Sequence, residues 1–291
     1  MRTIEEIIYT RFLLYAIMCP DSGITRHIQE TMSPSEQRLY LFALERRVLT
    51  TREAIGAHGD PNGARKLLSS LARKGYLVRV MRGLYGAVPP EFAGTDHEID
   101  RYIVASRAGR DRGALAFHTA LELHGVANAT LGEAYCLTTE RIHPFAFQGV
   151  GYRFVRASEL FGTTRVVRQG VGVTVTDRER TFLDCIRRPE LAGGLDEMLR
   201  SLGTFHTVDT VVLGGYMERF DERSLVQRTG VVLSLLREDL RVPEQFLAGL
   251  RTGVGGKVYY LTRDMGRGAG RLDRDWNVMV PRNIDEVMRG V

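Results

Sequence analysis

Between residues 62 and 82 the chain concentrates side chains that can grip an anionic polymer. Asn62, Arg65, Lys66, Ser69, Ser70 and Arg73 lie on one side of a helical repeat, opposite Ala64, Leu67, Leu68 and Leu71 at i, i+3, i+4, i+7 spacing. Arginine forks match guanine edges, asparagine matches adenine, and serine and lysine suit backbone phosphates, so this mixture fits a face that reads double-stranded DNA. After Gly75 the period switches to strand alternation, and Arg79 and Arg82 fall on a hairpin turning at Arg82–Gly83. A cation at such a tip can enter a minor groove or meet phosphate. A lone basic helix reads first as a solvated face; here helix and hairpin are basic together.

The elements that must carry these residues can be read from their punctuation. Ser33–Pro34 starts a helix in which Leu39, Leu41, Phe42, Leu44 and Val48 stand near helical spacing. "LTTREAIGAHG" offers Thr50 or Thr51 as the cap of a second short helix that Gly59 stops. Asp60 caps the third, with Pro61 at its first position, and that helix ends at Gly75. Strands at "YLVRVM" and "LYGAV" follow, closed by Pro89–Pro90. Three helices, a strand, a turn and a strand predict a winged helix-turn-helix over residues 33–90.

Residues 1–32 read as an amphipathic helix, "IIYTRFLLYAIMC", and a linker. Arg11 interrupts the apolar run, which is too short to span a bilayer, where about 20 apolar residues are needed. Such a helix packs on something, and a homodimer formed through it is one expectation.

From 91 to 291 the pattern is mixed α/β, so the expected fold class is α+β in two domains. Helices are predicted at "HEIDRYIVASRA", "ALAFHTALELHG", "DRERTFLDCIRR", "GLDEMLRSLG", "VDTVVLGGYMERF", "ERSLVQRTGVVLSLLRE" and "PEQFLAGLR", and strands at "EAYCLTT", "YRFVRA", "GVTVT", "KVYYLTR" and "WNVMVP". In "TVTDRERTFLDCI", Thr176 or Asp177 caps a helix, Glu179 completes a capping box with Thr176, and Phe182, Leu183 and Ile186 form its buried stripe. Capping and surface pairing account for Asp177, Glu179 and Asp184 more simply than metal binding or acid–base work does.

No enzyme is expected. His118 and His124 are six apart, on different faces of one helix rather than an i, i+4 ligand pair. "GVGGKV" and "GRGAG" lack the Lys-Ser/Thr of a P-loop and read as turns. Asp273 and Asp275 lack the Gly-Ser element of a nucleotidyltransferase, and Lys257 lacks the preceding Glu of a nuclease triad. Cys19, Cys136 and Cys185 are odd in number and far apart, which argues against a disulfide framework or zinc site and for a reducing cytoplasm. No cofactor or metal is expected. The net charge of +5 favours anionic partners, with arginine supplying nearly all of it, since lysine occurs only at Lys66, Lys74 and Lys257.

The combination of "LARKGYLVRVMRGLYGAVPP", "AFHTALELHGVA" and "VTVTDRERTFLDCIRRPELAGGLDE" resembles the AbiEi-type antitoxins of type IV toxin–antitoxin systems, also described as transcriptional regulators of viral defence. The likeness spans roughly residues 35–205 over three short motifs. It implies a winged helix that represses its own operon at inverted repeats, and a C-terminal domain over 91–291 that antagonises a nucleotidyltransferase toxin encoded nearby. The resemblance carries DNA contact to Arg65, Lys66, Ser69, Arg73, Arg79 and Arg82. A stand-alone winged-helix regulator, or a protein-interaction scaffold without a toxin partner, is the alternative.

Overall fold

The computed structural model describes residues 31–110, 112–263, 265–266, 270–284 and 286. The expected N-terminal helix therefore lies outside the described residues. The architecture is mixed α+β, with ten α-helices and three sheets among the described residues. The chain divides into two compact units. One holds the described residues up to 110 with 145–150 and 167–173, and the other holds 112–144, 151–166 and the described residues from 174 onward. The expected boundary at residue 90 falls inside the first unit.

The first unit begins with α1 (Pro34–Arg46), β1 (Val48–Thr50), α2 (Thr51–His58), α3 (Pro61–Arg73), β2 (Leu77–Met81) and β3 (Leu84–Ala87), followed after a connector by α4 (Arg101–Ala108). Each of the first three helices starts where local chemistry dictates. Ser33 and Glu36 close one capping box, Thr50 and Glu53 close another, and the Asp60 carboxylate accepts from the amides of Asn62 and Gly63 ahead of a helix that opens on Pro61. Gly59 ends α2 at φ +85°, and Gly83 turns the hairpin at φ +83°. Leu39, Tyr40, Leu49, Ala64, Leu68, Leu71, Tyr76 and Leu77 fill a core beneath, and the Tyr40 hydroxyl donates to the Val88 carbonyl at 2.6 Å.

Strand β1 was not expected. Val48 leaves the helical stripe for a strand, because α1 stops at Arg46 and Arg47 takes φ +60°. Val48, Leu49 and Thr50 then pair antiparallel with Gly86, Tyr85 and Leu84, giving a three-stranded sheet in the order β1-β3-β2.

The larger sheet has the order β6-β7-β5-β4-β9-β8, built from β4 (Gly113–Leu115), β5 (Glu133–Thr138), β6 (Phe145–Phe147), β7 (Val150–Arg156), β8 (Thr163–Arg168) and β9 (Val171–Thr176). The predicted helix in "ALAFHTALELHG" is shortened: its first residues form β4, and α5 covers only His118–Leu123. Five further helices belong to the second unit: α6 (Arg178–Arg187), α7 (Leu195–Gly203), α8 (Thr210–Phe220), α9 (Arg223–Leu235) and α10 (Glu244–Arg251). A small sheet of β10 (Tyr259–Tyr260), β11 (Gly270–Asp273) and β12 (Val278–Pro281), in the order β10-β12-β11, follows. Phe182, Leu183, Ile186, Met198, Leu202, Leu225, Val232 and Trp276 are among the residues of that unit's core. Among the described residues no helix is long and apolar enough to cross a membrane.

Candidate nucleic-acid interface

Helix α3 sorts its side chains cleanly. Ala64, Leu68 and Leu71 are buried, whereas Asn62, Arg65, Lys66, Ser69 and Arg73 are exposed at i, i+3, i+4, i+7 and i+11 on one stripe. The helix is fixed at its start by Asp60, whose carboxyl the amides of Gly63 and Asn62 hold below the usual range. Arg65 makes a long contact, 3.5 Å, to the Asn62 amide oxygen, so the first two candidates of the stripe are neighbours. Arg79 is exposed on β2 opposite Tyr85, and Arg82 is exposed at the turn between β2 and β3.

Ser70 does not join the stripe. Its hydroxyl donates to the Glu36 carboxylate of α1 at 2.6 Å, tying α3 inward. The same carboxylate takes Lys74 at 2.8 Å and the Ser33 amide at 2.7 Å. Burial alone raises Glu36, but the hydrogen bonds from Lys74, Ser70 and Ser33 override it and hold the carboxyl at about 2.

Ion pairing commits some cations of this unit and leaves others exposed without an ion pair among the described residues, Arg38 of α1 included. Lys74 pairs with Glu36 at 2.8 Å, Arg46 with Glu53 at 2.9 Å, Arg107 with Glu53, and Arg168 with Asp100 at 3.0 Å. Arg52, Arg65, Lys66, Arg73, Arg79 and Arg82 are exposed and form no ion pair among the described residues. Arg52, at the second position of α2, was not among the sequence candidates; its position directly after the Thr50–Thr51 helix start is the signal that could have found it. An array of exposed, uncompensated guanidinium and ammonium groups beside an amide and a hydroxyl can hold a polyanion.

The second unit places the remaining candidates in structural roles. Asp177, not Thr176, caps α6 by accepting from the Arg180 amide at 2.8 Å. The Thr176–Glu179 box does not form: the Thr176 hydroxyl meets that of Thr181 at 2.7 Å, and Glu179 accepts from the Asp209 amide at 3.0 Å. Asp184 is not a surface residue. It is buried against Arg180 at 2.9 Å, and burial pushes its carboxyl up to about 6 even with that guanidinium beside it. Asp273 accepts from the amides of Asp275 and Trp276 at 3.1 and 3.2 Å and so shapes a turn.

His118 is fully buried, its Nε2 3.2 Å from Glu197, and His124 bonds the Thr176 carbonyl at 2.8 Å through Nε2. Cys136 and Cys185 are free and buried, which pushes the Cys136 thiol up to about 12. Among the described residues no group of three or more His, Cys, Asp or Glu is placed to hold a metal ion.

No family model matches the chain, and no curated protein matches it in sequence. A solved structure resembles it in fold. The crystal structure of the RV2827C protein from Mycobacterium tuberculosis aligns with a TM-score of 0.63 at 15% identity, covering 89% of this chain and 95% of that one. At that identity the likeness is one of fold.

Proposed function

We propose that the first unit is a winged helix-turn-helix that binds double-stranded DNA, with α3 in the major groove and the β2–β3 hairpin as its wing, and that the chain is a transcriptional repressor of its own operon. The observation that carries this reading is the split among the cations: those on α3 and the hairpin are exposed and uncompensated, while Arg46, Lys74, Arg107 and Arg168 are spent on carboxylates. The order helix, strand, helix, helix, strand, strand with Gly83 at the hairpin turn supports the docking geometry. Asn62, Arg65, Lys66, Ser69 and Arg73 are the groove-facing set, and Arg79 and Arg82 are the wing contacts.

The sequence resemblance supports an antitoxin role for the second unit against a nucleotidyltransferase encoded beside it. Two measurements test the two halves. Titration of the full chain onto the DNA upstream of its gene, with a scrambled duplex as control, checks the first: salt-sensitive, sequence-preferring binding that the double variant Arg65→Ala/Arg82→Ala weakens is expected, and unchanged binding in that variant overturns it. Co-expression with the neighbouring toxin gene checks the second, since the same double variant should still relieve toxicity.

A further inference from the structure

One hydrogen bond fixes the wing to a helix other than α3. The amide of Thr51, the first residue of α2, donates to the carbonyl of Gly83 at the hairpin turn at 2.8 Å, next to the Thr50–Leu84 pairing of β1 with β3. Arg52 follows one end of that bond and Arg82 precedes the other, so two exposed arginines arise from backbone positions locked side by side.

The carboxylate closest in sequence to Arg52 cannot neutralise it. Glu53 Oε1 is taken by Arg46 and Arg107, and Oε2 by the amide and hydroxyl of Thr50. Burial acts to raise Glu53, yet the Thr50 and Arg107 hydrogen bonds keep it lowered, so it stays ionised and committed. Two guanidinium groups that form no ion pair among the described residues, on a mount that one hydrogen bond and one strand pair hold in place, suit the oxygens of a phosphodiester chain better than a base edge.

We propose that Arg52 and Arg82 form a clamp on adjacent backbone phosphates of duplex DNA, with the Thr51–Gly83 hydrogen bond as its hinge pin. The proposal rests on the DNA-binding reading and adds to it a contact from α2 and a reason for the wing's fixed position.

The test is a salt series of anisotropy titrations with the full chain and a fluorescein-labelled duplex carrying the DNA upstream of its gene. Arg52→Ala and Arg82→Ala should each lower the slope of log K against log salt by about 0.9, the change for one phosphate contact, and Arg52→Lys should restore it. Thr51→Pro removes the amide at a helix position where proline is well tolerated, and Thr50, at φ −86° and ψ 152°, already has the backbone that precedes proline. In that background Arg52→Ala should cost little more.

Arg241→Ala, an equal charge change at an exposed residue of the second unit, should keep the wild-type slope. A wild-type slope in Arg52→Ala, or an equal loss in Arg241→Ala, overturns the clamp while wild-type binding leaves the DNA reading standing. Absence of wild-type binding to any duplex instead removes the DNA reading itself.

Discussion

The indole of Trp276 lies against the Cα of Gly230 on α9, so close that a Cβ on residue 230 would stand 2.2 Å from the ring. The ring is buried, and its Nε1 donates to the Ser234 hydroxyl one turn further along the same helix at 3.0 Å. Glycine in a helix interior costs stability by itself, and here it makes room for the largest fully buried side chain. Gly230→Ala is expected to destabilise the protein by about 1–3 kcal/mol through overpacking. Because Trp276 is the only tryptophan of the chain, the displacement is directly visible: emission should shift to the red in the folded state, and an unshifted spectrum would show that the helix moves instead of the ring.

Acid should loosen the attachment of α3 to α1. Glu36 falls from an ordinary 4.5 to about 2 in the folded protein, so its stabilising contribution is complete above about pH 4.5 and is lost as pH drops from there through 2. With about 1.4 kcal/mol per unit, the contribution is at most about 3.5 kcal/mol. Urea unfolding of wild type and Glu36→Gln at a series of pH values checks it. The difference between them should be largest at neutral pH and shrink toward pH 2; a pH-independent difference would show that packing, not charge, is what Glu36 supplies.

The helix starts of the first unit were legible because capping is local: Ser33, Thr50 and Asp60 each act within three residues. Strand β1 was not, since Val48 fits a helical stripe and only its distant partner Gly86 makes it a strand. β6 and β8 were missed for a related reason. Each ends at a Gln-Gly pair, Gln148–Gly149 and Gln169–Gly170, with positive φ at both residues, the backbone of a two-residue hairpin turn. The twice-occurring "QGVG" was the available signal. In the candidate interface, spacing correctly separated the buried from the exposed side of α3, but nothing near Ser70 in sequence announces Glu36, 34 residues earlier. Asp184 read as exposed because charge usually is; Phe161 and Phe220, which cover its partner, are remote in sequence.

Gly75 and Gly94 offer a matched pair of substitutions. Both have positive φ, +79° and +78°, so alanine is strained at either. A Cβ at Gly75 would stand 2.6 Å from the backbone nitrogen of Gly94, which cannot swing aside, whereas a Cβ at Gly94 meets nothing within 4 Å. Gly94→Ala is therefore expected to cost about 1 kcal/mol, the backbone share, and Gly75→Ala clearly more, about 2–4 kcal/mol once the clash is added. Thermal and chemical denaturation of the two variants would check the ranking. Equal losses would mean that the contact between the two glycines yields.

Arg180 and Asp184 make a buried ion pair one turn apart on α6, at 2.9 Å, with the guanidinium against the edge-to-face pair of Phe161, at 4.0 Å, and Phe220, at 4.5 Å. The desolvation of two charges offsets much of their attraction, so the pair contributes little net stability, while breaking it strands a charge. Asp184→Ala alone is thus expected to cost about 3–5 kcal/mol, because Arg180 stays buried against the rings without its counter-charge. The double variant Arg180→Met/Asp184→Leu should recover most of that loss, since methionine can pack against the two aromatic rings. A double-mutant cycle by urea denaturation measures the coupling, and losses that simply add would show that the two side chains act independently, through packing alone.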